Sequence, residues 1–211
     1  MRLFRSPTRI TSNVNAAAYY AVMVMESEAK AIARGLRRRD PDLLDSLIEQ
    51  YQHRLLRYLV HLVGNRGLAE DLFQESWVRV IERGHQYDGK HPFSLWLFAV
   101  ARNLTIDYLR KKRPVSLEGL MEENQDRLPL EPTDPRPLAW EAVAEQERAE
   151  LVGQALASLS AEYRECLVLR FQEGLTLEEI SVVTRARLGT VKSRLYRGLG
   201  MLTSRLKEAQ A

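Results

Sequence analysis

Five prolines (Pro114, Pro129, Pro132, Pro135 and Pro137) fall in one stretch of the chain, interspersed with Glu118, Glu122, Glu123, Asp126, Glu131 and Asp134. Proline lacks a backbone donor and collides with the preceding helical turn, so no regular helix runs through residues 114–139. On either side, apolar residues recur at helical spacing, and no segment alternates as a strand would. The pattern predicts an all-α protein, with two small helical domains joined by a flexible acidic linker. The expected divisions are a disordered extension or mis-assigned start over 1–25, a first domain over 26–113, the linker over 114–139 and a second domain over 140–211.

Local signals place the helices. Asp40-Pro41 reads as a cap followed by proline at the first helical position. Leu44, Leu47, Ile48, Tyr51, Leu55, Leu59 and Leu62 then form a stripe ending at Gly64. The Gly64-Asn-Arg-Gly67 turn opens a helix whose inward residues are Leu68, Leu72, Phe73 and Val80, with Trp77 as a further candidate. Gly84 to Pro92 is a polar loop. Phe93, Leu97, Val100, Ala101, Leu104 and Tyr108 continue the core, and Trp96 beside them reads as core too. In the second unit, Leu151, Val152, Ala155, Leu156 and Leu159 give the first stripe. Ser160 is expected to cap the next helix, and Gly174 suits a left-handed cap at its end.

From Thr176 to Arg197 the chain reads as a helix-turn-helix. Thr176 and Glu179 form a capping box. Ile180 and Val183 mark the buried face of a short helix. Val191, Leu195, Leu199 and Leu202 then fall at helical spacing, which leaves Thr190, Lys192, Ser193, Tyr196 and Arg197 pointing away from the core. Such a helix fits the DNA major groove, and these donors suit base edges and phosphates. The plainer alternative is a solvated basic helix.

The run Gly189-Thr-Val-Lys-Ser-Arg-Leu-Tyr-Arg197 resembles region 4.2 of bacterial sigma-70-type initiation factors, especially the small extracytoplasmic-function (ECF) group. A second signature supports the first. Leu68-Ala-Glu-Asp-Leu-Phe-Gln-Glu-Ser-Trp-Val-Arg-Val80 resembles region 2.2, and the stretch from Phe93 to Arg113 resembles regions 2.3 to 2.4. Together the matches cover roughly residues 30–113 and 140–207, in the family's order.

The resemblance implies an alternative sigma factor that binds core RNA polymerase, through its clamp helices and flap, and directs initiation at chosen promoters. Thr190, Lys192, Ser193, Tyr196 and Arg197 would read the −35 element. Asp71, Gln74 and Glu75, on the face opposite an apolar stripe, would dock on polymerase, where complementary charge sets register. The loop Gly84 to His91 would capture a flipped base of the −10 strand. Tyr87 suits stacking there, and Gln86, Asp88 and Lys90 suit hydrogen bonds. Arg102, Asn103 and Arg110, extended by Lys111, Lys112 and Arg113, would supply further −10 contacts, with Asp107 orienting Arg110 or Arg113. The acidic linker would thread the polymerase cleft. Promoter DNA and an anti-sigma factor are the other implied partners. One departure stands out: at the helix-turn-helix turn this chain has Arg185 and Arg187 where the family usually has a glycine and a proline.

Composition narrows the alternatives. The single Cys166 cannot form an intramolecular disulfide, and it sits on an apolar stripe that suits packing. With four histidines and no cysteine pair, no metal cluster is expected, and no phosphate loop or nucleophile constellation argues for an enzyme, a cofactor or a small-molecule substrate. Positive charge gathers at Arg110 to Arg113 and Arg185 to Arg205, which fits two nucleic-acid faces. Arg2, Arg5 and Arg9 precede an apolar stretch from Val14 to Met25 that mimics a signal peptide but is too short to span a bilayer. A cytoplasmic protein is expected, with Met23 or Met25 as plausible initiators. Two rival readings are a stand-alone helix-turn-helix repressor or activator and a membrane-linked adaptor.

Overall fold

The computed structural model describes the backbone of residues 11–112 and 149–209, with side chains from residues 23 to 111 and 149 to 209. The expected linker, 114–139, lies outside the described residues. Helix α1 spans Thr11–Arg38. The expected disordered extension is therefore helical over 11–25, while residues 1–10 lie outside the described part. Apolar side chains Ala29, Ile32, Ala33 and Leu36 bury one face of α1.

Asp40 caps α2 (Pro41–Val63), its Oδ1 accepting from the amides of Asp42 at 3.1 Å and Leu43 at 3.4 Å. Pro41 sits at the helix start, where its missing N–H has no partner to lose. Gly64 ends α2 in the left-handed region at φ 70°. Asn65 then caps α3 (Arg66–Arg83) through its side chain and the Leu68 amide, 2.9 Å apart. A 3-10 turn (Gly84–Gln86) leads into a loop that α1 covers. Gly89 is required there: its φ is +73°, and a Cβ would lie 2.9 Å from the Ala29 carbonyl oxygen. Helix α4 (Phe93–Lys112) completes the first unit. Leu47, Leu55, Leu72, Val80 and Leu97 are buried as expected, and Trp77 is buried with them.

In the second unit α5 covers 149–157, followed by α6 (Ala161–Leu167), which runs on as a π-helical turn (Val168–Gln172). Ser160 occupies the cap position of α6, but its hydroxyl makes no capping hydrogen bond. Gly174 adopts φ +70°. The capping box starts α7 (Leu177–Thr184): the Glu179 amide donates to Thr176 Oγ1 at 3.2 Å, and the Thr176 amide donates to Glu179 Oε2 at 2.8 Å. Helix α8 (Leu188–Ala209) follows.

The two units pack together. One buried apolar cluster runs from α1–α4 into Cys166, Val168, Leu169, Ile180, Val183 and Val191. Helix α6 lies against α2, and α7 lies against α4. A smaller cluster of Leu159, Leu167 and Leu195 fastens α6 to α8. Among the described residues there is no strand, and no helix is long and apolar enough to cross a membrane.

Candidate nucleic-acid and polymerase interfaces

The second helix of the helix-turn-helix presents the expected residues. Val191 and Leu195 are buried, while Thr190, Lys192, Ser193 and Arg197 are exposed and Tyr196 is 72% exposed. This face borders a cleft lined by Glu162, Tyr163, Thr190, Ser193 and Arg197. Arg194 reaches Glu162 at 2.6 Å and so ties α8 to the start of α6. Gly198 permits the same close approach, because a Cβ there would meet Tyr163 and Leu167 side chains at 3.3 Å. The turn before α8 is held by Arg185 in the left-handed region, φ 53° and ψ 30°. A side chain in that conformation costs about 1–2 kcal/mol relative to glycine. Arg185 and Arg187 are both exposed at this turn.

On α3, Asp71 and Gln74 are exposed, and half-buried Glu75 pairs with Arg79 at 3.0 Å. Val78 and Ile81 continue this surface one and two turns on and are also exposed. That combination of acid, amide and exposed apolar side chains suits a protein partner better than solvent.

The loop after α3 holds Gln86, Asp88 and Lys90 at the surface. Asp88 accepts from the Lys90 amide at 3.0 Å and pairs with its ammonium at 3.3 Å. The hydrogen bond from the Lys90 backbone N–H holds the Asp88 carboxyl below its usual range. Tyr87 is different and corrects the sequence expectation: it is only 2% exposed. Its ring packs against Phe93 and Trp96, each 5.6 Å between centroids, and its hydroxyl donates to the His91 carbonyl. Burial pushes its hydroxyl up to about 12. With α1 lying over the loop, Tyr87 cannot stack on a base without leaving the core. Trp96 belongs to the same aromatic cluster, as expected of a core residue.

Along α4, Arg110 and Lys111 are exposed, and Asp107 orients Arg110 at 3.2 Å. Asn103 is half-buried. The Lys112 side chain and Arg113 lie outside the described residues. Arg102 is not on an open surface, a second correction: its Nε donates to Glu165 Oε1 of α6 at 2.8 Å, and its side chain is 16% exposed.

Family models match in two places: sigma-70 region 2 over residues 47–115, and sigma-70 region 4 over residues 149–202. The ECF RNA polymerase sigma factor SigL of Mycobacterium tuberculosis is 32% identical over 167 residues, covering 79% of this chain and 90% of its own length. This chain belongs to the ECF sigma factors. SigW of Bacillus subtilis is 29% identical, with 87% of this sigma factor and all of the relative covered. Solved structures share the fold. CnrH in complex with the cytosolic domain of CnrY gives a TM-score of 0.60 at 18% identity, covering 87% of this sigma factor and 99% of that chain. The sigma factor RpoE of Bartonella quintana, in complex with the anti-sigma factor NepR, gives 0.58 at 23% identity, covering 77% and 96%.

Sequence reasoning missed the charges between the sigma factor's two units. Glu165 also accepts from the Tyr58 hydroxyl at 2.8 Å. Arg54 of α2 donates from Nε to Glu173 Oε2 at 2.8 Å, and its terminal Nη2 is equally close. The available signal was a charged pair inside an apolar run: Arg164 and Glu165 precede Cys166-Leu-Val-Leu169, and all six are buried. Burial pushes the Cys166 thiol up to about 11, as suits a packing role.

Proposed function

We propose that this ECF sigma factor binds core RNA polymerase and reads promoters at two places, the −35 element as duplex and the −10 element largely as single strand. The observation that carries this reading is the coexistence, on one chain, of an exposed hydroxyl- and base-rich helix face on α8 and a separate acidic–apolar face on α3. A stand-alone repressor needs the first but not the second. Thr190, Lys192, Ser193, Tyr196 and Arg197 read the −35 element. Asp71, Gln74 and Glu75, extended by Val78 and Ile81, dock on polymerase.

For the −10 element, Gln86, Asp88 and Lys90 form the accessible part of the loop, and Arg110 and Lys111 supply phosphate contacts. Tyr87 supports the loop from within. One related fold was solved bound to an anti-sigma factor, which supports an anti-sigma factor as a partner here. The protein works in the cytoplasm, where polymerase and promoters are. A gel-shift comparison tests the reading. Free protein is expected to bind promoter DNA weakly, and core polymerase to raise affinity by fixing the spacing of the two reading heads. Tight, specific binding without any gain from core would contradict it.

A further inference from the structure

Helix α1 extends beyond the unit it packs against. Its buried residues are Ala29, Ile32, Ala33 and Leu36, whereas every residue from Met23 to Glu28 is exposed. Successive helical residues are turned by about 100°, so Met23, Val24 and Met25, at 53%, 47% and 52% exposure, put apolar surface around more than half of the helix. Residues 11–25 contain no charged side chain. Past Ala29 the outer side turns basic: Lys30, Arg34, Arg37 and Arg38 are exposed opposite the buried residues, and Arg39 follows at the turn. We propose that this outer face of α1 binds an anionic phospholipid surface. Met23, Val24 and Met25 sink among the headgroups, and the cations from Lys30 to Arg39 meet lipid phosphates.

The arginines are unspent within the protein. Lys30 pairs with Glu26 at 3.6 Å, but among the described residues no acid pairs with Arg34, Arg37, Arg38 or Arg39. The helix dipole accounts for cations in the last turn, Arg37 and Arg38, but not for Arg34 before it or Arg39 beyond it. Arg39 stands at φ 54°, where glycine is at ease and a Cβ is strained. Its amide and that of Asp40 close the helix by donating to the Leu36 and Gly35 carbonyls, at 3.2 and 3.1 Å, a turn that glycine makes without strain. Strain kept at an exposed arginine points to a use for the side chain.

Lipid fits both halves of the face. Nucleic acid would satisfy the arginines and leave Met23, Val24 and Met25 in water. A protein groove reads one stripe of a helix, whereas this segment is apolar on more than one side. A fluid headgroup layer needs no matching shape and sets phosphates beside acyl chains. A cluster of about four to eight cations on a helix with an apolar part is the pattern such a layer takes up. The helix lies on the surface, since none of the described helices is long and apolar enough to cross. The inner face of α1 stays on the Gly84–Gly89 loop, so binding on the outer face needs no rearrangement of the unit. It uses none of the residues assigned above to polymerase or promoter.

The test is flotation of the full-length protein with vesicles of phosphatidylcholine, alone or with about one-third phosphatidylglycerol, over a salt series. Partitioning onto the phosphatidylglycerol vesicles should be at least about tenfold stronger and should fall as salt rises. R34Q/R37Q/R38Q should lower it at least about tenfold and flatten the salt dependence. M23S/V24S/M25S should also lower it, with the salt dependence kept. Equal binding to both vesicle types, or undiminished binding by M23S/V24S/M25S, overturns the proposal. So does wild-type protein that ignores the vesicles yet binds mixed-sequence duplex DNA through Arg34, Arg37 and Arg38, which assigns the face to nucleic acid. If a variant loses helical circular dichroism, amide hydrogen exchange of the wild type decides. Phosphatidylglycerol vesicles should slow exchange across residues 23–39 and leave α7 unchanged, and no slowing there overturns the proposal.

Discussion

Arg194 of α8 reaches Glu162 of α6 across 2.6 Å, and this pair flanks the cleft into which Thr190, Ser193 and Arg197 face. The acid is 65% exposed, so the pair contributes at most about 1 kcal/mol to stability. Its value lies in orienting α8 against α6. Replacing Glu162 with Ala should leave thermal unfolding almost unchanged while weakening −35 binding of the polymerase complex. Replacing Arg197 with Ala should cost roughly 1–3 kcal/mol and relax preference at one −35 position only, whereas Lys111→Ala should weaken binding evenly and lower the salt slope. Binding titrations on −35 and −10 variants separate these outcomes.

Tyr87 should behave as a core residue. Tyr87→Ala should destabilise the first unit by about 3–5 kcal/mol, as truncation of a buried aromatic does. Tyr87→Phe removes only the hydrogen bond to His91 and should cost about 1 kcal/mol. Urea denaturation measures both. The Phe variant should keep the wild-type −10 base preference, and a changed preference would show that the hydroxyl reaches DNA.

His61 gives the protein a pH dependence of known sign. Burial, with Arg164 and Arg57 nearby, lowers its pKa to about 4. The ordinary value is about 6.5, so between those values the unfolded chain holds a proton that the folded one excludes. Stability is therefore full above pH 6.5 and falls as pH drops toward 4, by about 3 kcal/mol from this group. His61→Gln should flatten the curve of unfolding free energy between pH 7 and 5. Parallel curves for the two proteins would assign the effect elsewhere.

Arg185 carries the strain of the helix-turn-helix turn at φ 53°. Arg185→Gly should raise stability by about 1 kcal/mol by removing the Cβ clash. If the exposed guanidinium also contacts phosphate, the same change lowers the salt dependence of −35 binding. Thermal unfolding and salt-series binding read the two effects separately.

Much of this was legible from sequence because the relevant signals are local. Asp40-Pro41 and the Thr176–Glu179 box mark helix starts through short-range hydrogen bonds, and both act as caps in the structure. The outward face of α8 followed from the spacing of Val191 and Leu195. Tyr87 was misread because its ring folds back onto Phe93 and Trp96, a loop conformation that no periodicity reveals, and α1 lies over that loop. Arg102 was placed correctly off the apolar stripe of α4, yet its partner Glu165 lies 63 residues away on another unit. No periodicity reveals such a contact, and the first half of α1 was missed because residues 1–25 read as a disordered extension or a mis-assigned start.

In vitro transcription with purified core RNA polymerase on a randomised promoter library tests the central claim most directly. The account predicts transcripts only when this protein is added, enriched for a two-part promoter whose −35 half loses selection with Arg197→Ala. No dependence on the protein, together with a two-fold operator footprint made without polymerase, would contradict it.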